Sequence, residues 1–138
     1  MCAALSVAGL GGAAPAAAAQ AKATKAVDFA KAQLGKPYRY GGNGPSSYDC
    51  SGLVKRSYRS AGVSLSRTTQ AQYRQGRSVA RSHLRPGDLV FFYRGPSHVG
   101  MYVGGGKMVH APSSGKRIKV ERMAGHYNGS MVGARRVA

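Results

Sequence analysis

The chain has 138 residues, a length that supports one hydrophobic core and not two. Lys and Arg number 21 against 4 acids, a formal charge of +17, so the surface attracts polyanions such as nucleic acid, anionic membrane or anionic cell-wall polymer. The four carboxylates, Asp28, Asp49, Asp88 and Glu121, are spread along the chain, which does not favour a paired-carboxylate mechanism.

Residues 1–21 read as a secretory signal. Leu5, Val7 and Leu10 lie in an Ala- and Gly-rich run without charge before Lys22, and Ala16 to Ala21 offers small-x-small cleavage sites. No Lys or Arg precedes the apolar part, so the leader reads as truncated at its start. The run is too weakly apolar for a membrane span. The remaining residues, 22–138, form one domain. Removal of the leader takes Cys2 with it and leaves Cys50 as the one thiol, either buried and inert or reactive.

Ala21 to Leu34 has helical spacing, with Ala26, Phe29 and Ala30 on one face, and Gly35 and Pro37 stop it. Residues 35–45 form a loop dense in Gly and Pro whose Tyr38 and Tyr40 suit the lining of a site. Leu53, Val54, Tyr58 and Ala61 recur at spacings of three and four, which predicts a helix from Cys50 to Ala61 closed by Gly62. A short helix follows around Thr68 to Arg74. The period then changes. Residues 88–93, 98–103, 107–110, 117–122 and 131–137 are short β-rich runs separated by turn clusters. Helices first and an antiparallel meander second is an α+β layout.

Cys50 stands where the Gly-rich loop meets a helix. Unpaired N–H groups and the positive end of the helix dipole favour negative charge on sulfur there, and the same N–H groups suit a developing oxyanion. His98 opens one predicted strand and His110 closes the next, across a tight Gly turn, so the two rings can lie side by side. If both face Cys50, the set is nucleophile, base and orienter of the base. His83 and His126 lie in polar segments and read as surface residues. Asp49 suits a helix cap, which sets its negative charge beside Cys50 and calls for a partner; a substrate ammonium is one.

These residues resemble the NlpC/P60 cysteine peptidases. The resemblance runs through Tyr38-Arg39-Tyr40-Gly41-Gly42, Tyr48-Asp49-Cys50-Ser51-Gly52-Leu53-Val54, Leu65 to Gln70, Arg85 to Phe92, Ser97 to Gly104 and His110-Ala111-Pro112, in that family's order. It implies a papain-like α+β domain, N-terminal helices on an antiparallel sheet, that cuts peptidoglycan stem peptides, typically at the γ-D-glutamyl bond to the diamino acid. It makes Cys50 the nucleophile, His98 the base and His110 the third polar residue. Tyr38, Asp49, Ser51, Arg67 and Thr69 match positions that border or contact substrate. Tyr40 stands where Trp is commoner, Ser66 where Pro is usual and Thr69 where Ser is usual, departures that bear on specificity more than on chemistry.

Two other readings stay open. An amidase or acyltransferase would use the same Cys and His residues, and a basic wall-binding module would use none of them. No nucleic-acid motif is present, so no specific nucleic-acid partner is expected. The expected partners are stem peptides and, through the basic surface, anionic wall polymers, at a secreted or wall location. No zinc-ligand cluster is visible, so neither metal nor cofactor is expected, and a monomer is expected.

Overall fold

The computed structural model describes residues 2–138, with side chains from Pro15 onward. The expected leader, residues 1–21, and Cys2 within it therefore lie for the most part outside the described side chains.

Helix α1 (Cys2–Ala32) runs without a break across residue 21, and its contribution to the core is Ala26, Val27 and Ala30. Its spacing of small residues lets α2 (Cys50–Ser60) lie against it, presenting Leu53, Val54 and Tyr58 to the same core. A single turn of helix, α3 (Thr69–Gln72), is capped by the Thr68 hydroxyl. Among the described residues no helix is long and apolar enough to cross a membrane.

The second half of the chain is one antiparallel sheet of β1 (Arg77–Ser78), β2 (Leu89–Phe92), β3 (His98–Gly104), β4 (Lys107–His110), β5 (Lys119–Arg122) and β6 (Met131–Arg136). Its spatial order is β1-β6-β2-β3-β4-β5. The expected meander holds from β2 to β5, but the last strand returns across the sheet to pair with β2 and β1. The reason lies in β2, whose four residues are all buried, so it needs a partner on both edges. A short helix, α4 (His126–Ser130), makes that return where the sequence suggested a turn.

Alternation sorts the strands between two cores. Leu89, Phe91, Val99, Met101 and Val109 face α1 and α2. Val90, Phe92, Met108 and Ala134 face the other way, where Tyr127 of α4 and Met123 pack on them. The carboxylate of Asp88, 2% exposed, receives two bonds from Arg136 on β6, at 2.8 and 2.7 Å, and ties the return strand to the turn before β2.

Candidate active site

Cys50 is the first residue of α2, half-buried against the helical core. The loop before it is fastened at several points. Tyr48 is fully buried and gives its hydroxyl proton to Gln33, just past the end of α1, at 3.0 Å, while its backbone bridges Tyr38 and Asn43. Gly52 is required where the loop crosses the helix, because a Cβ there would overlap the Gly42 carbonyl oxygen.

Asp49 caps α2, accepting from Gly52 N–H at 2.7 Å. The partner that its charge calls for is Arg67. The guanidinium donates from Nη1 to Oδ1 at 3.0 Å and from Nη2 to Oδ2 at 2.8 Å, a two-pronged pairing, and also reaches Ser51 Oγ at 2.9 Å and Gly42 O at 3.2 Å. The hydrogen bond to Asp49 is the chief reason that the Arg67 pKa lies above its ordinary value. Gly41 N–H completes the carboxylate's second oxygen at 3.1 Å.

Around Cys50 these residues line an open cleft. Its lining brings the 38–41 loop and the Asp49–Ser51 helix start together with residues 67–70 and Ser97. The residues expected to border substrate, Tyr38, Asp49, Ser51, Arg67 and Thr69, all line this cleft. Tyr38 has its pKa raised, first by burial and then by its electrostatic interaction with Cys50 and Asp49. The sulfur of Cys50 has Thr69 Oγ1 as its polar neighbour at 3.6 Å. Of the first N–H groups of α2, Gly52 gives its proton to the Asp49 side chain and Leu53 to the Asp49 carbonyl, while those of Cys50 and Ser51 find no protein acceptor among the described residues.

His98 begins β3, immediately after Ser97 on the cleft wall. Its ring lies on the sheet face that α4 covers, with His110 two positions along on the neighbouring strand. Nε2 of His98 is 2.8 Å from Nδ1 of His110, and Nε2 of His110 is 2.8 Å from Glu121 Oε1 on β5. Cys50 therefore comes to this end of the sheet from one face and the imidazoles from the other, and no hydrogen bond joins Cys50 to His98 in this structure. Gly100 follows His98 by two residues on β3; a Cβ there would sit 2.6 Å from Met108 Sδ and 3.3 Å from His110 Cβ. Its bareness leaves His110 room to lean towards His98.

Both rings are shut off from solvent, His98 at 6% exposure and His110 at none. Burial, followed by the neighbouring His110, lowers the His98 pKa to about 3. Burial also lowers that of His110, against the pull of its bond to Glu121. Burial works against the Glu121 carboxylate, but the bond from His110 and the charge of Lys119, 3.5 Å away, outweigh it and hold the pKa below the ordinary carboxylate value. An ionised Glu121 can only accept, so His110 Nε2 carries a proton. A neutral His110 then accepts at Nδ1, so His98 Nε2 carries a proton and its Nδ1 is the bare nitrogen.

Glu121 and α4 are the parts of the site that sequence reasoning missed. Tyr127 packs edge-on against His110 at 5.3 Å, and the Tyr93 hydroxyl is 2.7 Å from His126 Nε2 at the rim. Tyr93 holds a left-handed backbone conformation, φ 66°, directly after β2. His83 and His126 are exposed, as read from the sequence. Among the described residues no three His, Cys, Asp or Glu side chains are placed to hold a metal ion.

With this geometry in view, comparison with known proteins is specific. The sequence profile of the NlpC/P60 family matches residues 35–136. A probable endopeptidase of Corynebacterium glutamicum is 47% identical over 106 residues, covering 73% of this chain and 50% of that protein. The probable endopeptidase p60 of Listeria monocytogenes is 47% identical over 98 residues, covering 70% of this chain and 20% of that protein. The chain thus spans half the length of the first relative and a fifth of the second. Among solved structures, the peptidoglycan hydrolase RipB of Mycobacterium tuberculosis has a TM-score of 0.79 at 29% identity, over 88% of this chain and 67% of that one. An NlpC/P60 family protein of Bacillus cereus gives 0.78 at 34% identity, over 83% of this chain and 39% of that one.

Proposed function

As the chain belongs to the NlpC/P60 family, we propose that it is a secreted, wall-acting cysteine endopeptidase that hydrolyses peptidoglycan stem peptides at the γ-D-glutamyl bond to the diamino acid. The observation that carries the reading is the bonded series His98–His110–Glu121, which leaves one bare imidazole nitrogen at the end of the sheet that the Cys50 helix also meets.

In this reading Cys50 Sγ turns from Thr69 towards His98, and Nδ1 of His98 takes the thiol proton. The sulfur attacks the amide carbonyl carbon, and the charge that collects on the carbonyl oxygen is met by the unengaged N–H groups at the start of α2. His98 returns its proton to the leaving nitrogen, the C–N bond breaks and a thioester remains. Water then gives a proton to Nδ1 and its oxygen to the acyl carbon, the C–S bond breaks, and the proton goes back to sulfur. His110 holds the base in the correct tautomer throughout, and Tyr38, Asp49, Ser51, Arg67 and Thr69 shape the pocket for the acyl side of the substrate.

Residues 22–138 are the catalytic domain and residues 1–21 a leader. In support, residues 15–25 of α1 are largely exposed, so a cut after residue 21 removes none of the core residues Ala26, Val27 and Ala30. The basic surface holds the enzyme on anionic wall polymers.

Purified peptidoglycan incubated with the wild type and with Cys50→Ala, and analysed by mass spectrometry, tests the reading. New diamino-acid amine termini, absent with the variant, are expected. Release of whole stems from the sugar would instead assign an amidase, and wall binding without cleavage by either protein would leave only a binding module.

A further inference from the structure

We infer that α3 is a bracket that fixes nucleophile and base at one separation, with Gln70 as the positioning residue on the base's side; this rests on the cysteine-peptidase reading above.

Cys50 and His98 come to the site on different elements, the start of α2 and the start of β3. Their separation is set by whatever links α2 to the turn that ends in His98. A proton passes between two side chains only at heavy-atom distances of about 2.6–3.2 Å, so a small error in that link weighs heavily on the rate.

The single turn of α3 reaches both sides. Thr69 Oγ1 stands 3.6 Å from Cys50 Sγ. Gln72, fully buried, donates from Nε2 to Ser51 O at 3.1 Å and to Ser66 O at 2.8 Å, and so grips the first turn of α2. Its Oε1 is buried with no partner among the described residues, a cost that an apolar side chain of the same shape avoids, so the two donated bonds are what the amide brings. Gln70 reaches the other way. Its Nε2 donates at 2.9 Å to the carbonyl of Pro96, two residues before His98. Among the described residues this is the one hydrogen bond from residues 35–76 to the turn of residues 93–97.

That turn is stiff enough to pass the constraint on. Pro96 is buried, and Ser97 N–H is bonded back to Phe92 O at 3.1 Å, so holding the Pro96 carbonyl holds the first residue of β3. The far end of α3 is anchored as well: the Tyr73 ring packs 4.9 Å from that of Phe91, and its hydroxyl donates to Val132 O at 3.1 Å. Gln70 itself is exposed in the cleft, so it adds nothing to a core. Exchanging water for the Pro96 carbonyl adds little to stability, but it gives that carbonyl one place.

The test uses the full chain with Gln70→Met, which keeps the side chain's reach and removes its donor. On a stem peptide, kcat is expected to fall by about 10- to 100-fold, the scale of a misplaced catalytic group, with KM little changed. A second readout needs no turnover: the rate at which iodoacetamide alkylates Cys50 at pH 7, followed by mass spectrometry of the peptide that carries it. A base within reach activates the thiol, so His98→Gln should slow alkylation, and Gln70→Met should slow it by about tenfold or more, part of what a positioned base contributes. Tyr38, Asp49 and Arg67, which also line the cleft, are the same in all these proteins. Added to His98→Gln, Gln70→Met should slow alkylation no further, because its effect runs through the base. An unchanged kcat overturns the inference. So does a change in KM alone, which would make Gln70 a substrate contact, and so does equal slowing with and without His98. If His98→Gln alkylates as fast as the wild type, the pairing of Cys50 with His98 fails, and the inference with it.

Discussion

Glu121 accepts a hydrogen bond from the fully buried His110 at 2.8 Å while standing 3.5 Å from Lys119, so a half-exposed carboxylate at the sheet's edge sets the protonation of a ring inside it. Two bonds further on, that choice decides which nitrogen of His98 is bare.

Removing Glu121 should therefore damage turnover rather than binding. For Glu121→Ala, kcat on a stem peptide is expected to fall by about 10- to 100-fold, within what a positioned base contributes, with KM little changed. Glu121→Gln can still accept through its amide oxygen and should lose less. Steady-state kinetics on both variants check this. A change in KM alone would assign Glu121 a merely structural part.

Acid should weaken the fold through the same series. His98 in the folded protein titrates at about 3 and in the unfolded chain near 6.5, so between these values the unfolded state binds more protons. The stability that comes from keeping His98 neutral is complete above about pH 6.5 and is lost as pH falls towards 3. His110 shifts in the same direction. Thermal unfolding of Cys50→Ala should show Tm falling over this window. Adding His98→Gln should flatten the fall.

Gly52→Ala places a methyl group against the Gly42 carbonyl, a backbone atom that cannot turn aside. The variant should lose about 1–3 kcal/mol of stability in urea unfolding, the usual cost of overpacking, together with its activity. Gly62→Ala is the contrast. A Cβ there meets nothing, but the backbone is left-handed, so any loss should be in stability alone.

The basic surface predicts a split in salt dependence. Binding to intact walls should weaken steadily as salt rises from low to physiological strength, because exposed charges are screened over about 8–10 Å under those conditions. Hydrolysis of a short soluble peptide should change little. Co-sedimentation with walls and peptide kinetics, run over one salt series, separate the two.

What the sequence discloses is what depends on neighbours in sequence. The helix beginning at Cys50 follows from the spacing of Leu53, Val54 and Tyr58, and the strand ends at His98 and His110 follow from the Gly turns around them. What it conceals depends on register between distant segments. Glu121 lies in a run correctly read as a strand, yet its nearness to His110 exists only because Met108 pairs with Glu121 and His110 with Lys119, which puts the carboxylate diagonally across from the ring on one face. Arg67 as the partner of Asp49 is hidden likewise, 18 residues away through a loop. The return of β6 to β2 was not legible because its two-residue partner β1 has no pattern of its own, and α4 was masked by the turn signal Asn128-Gly129.

Asp49 joins the cap of α2, the Gly41 turn and the Arg67 wall through one side chain. The helix end at Cys50 and one wall of the cleft therefore depend on the same carboxylate. In the proposed reading, loss of this one side chain would therefore disturb the thiol's helix end and the pocket beside it at the same time.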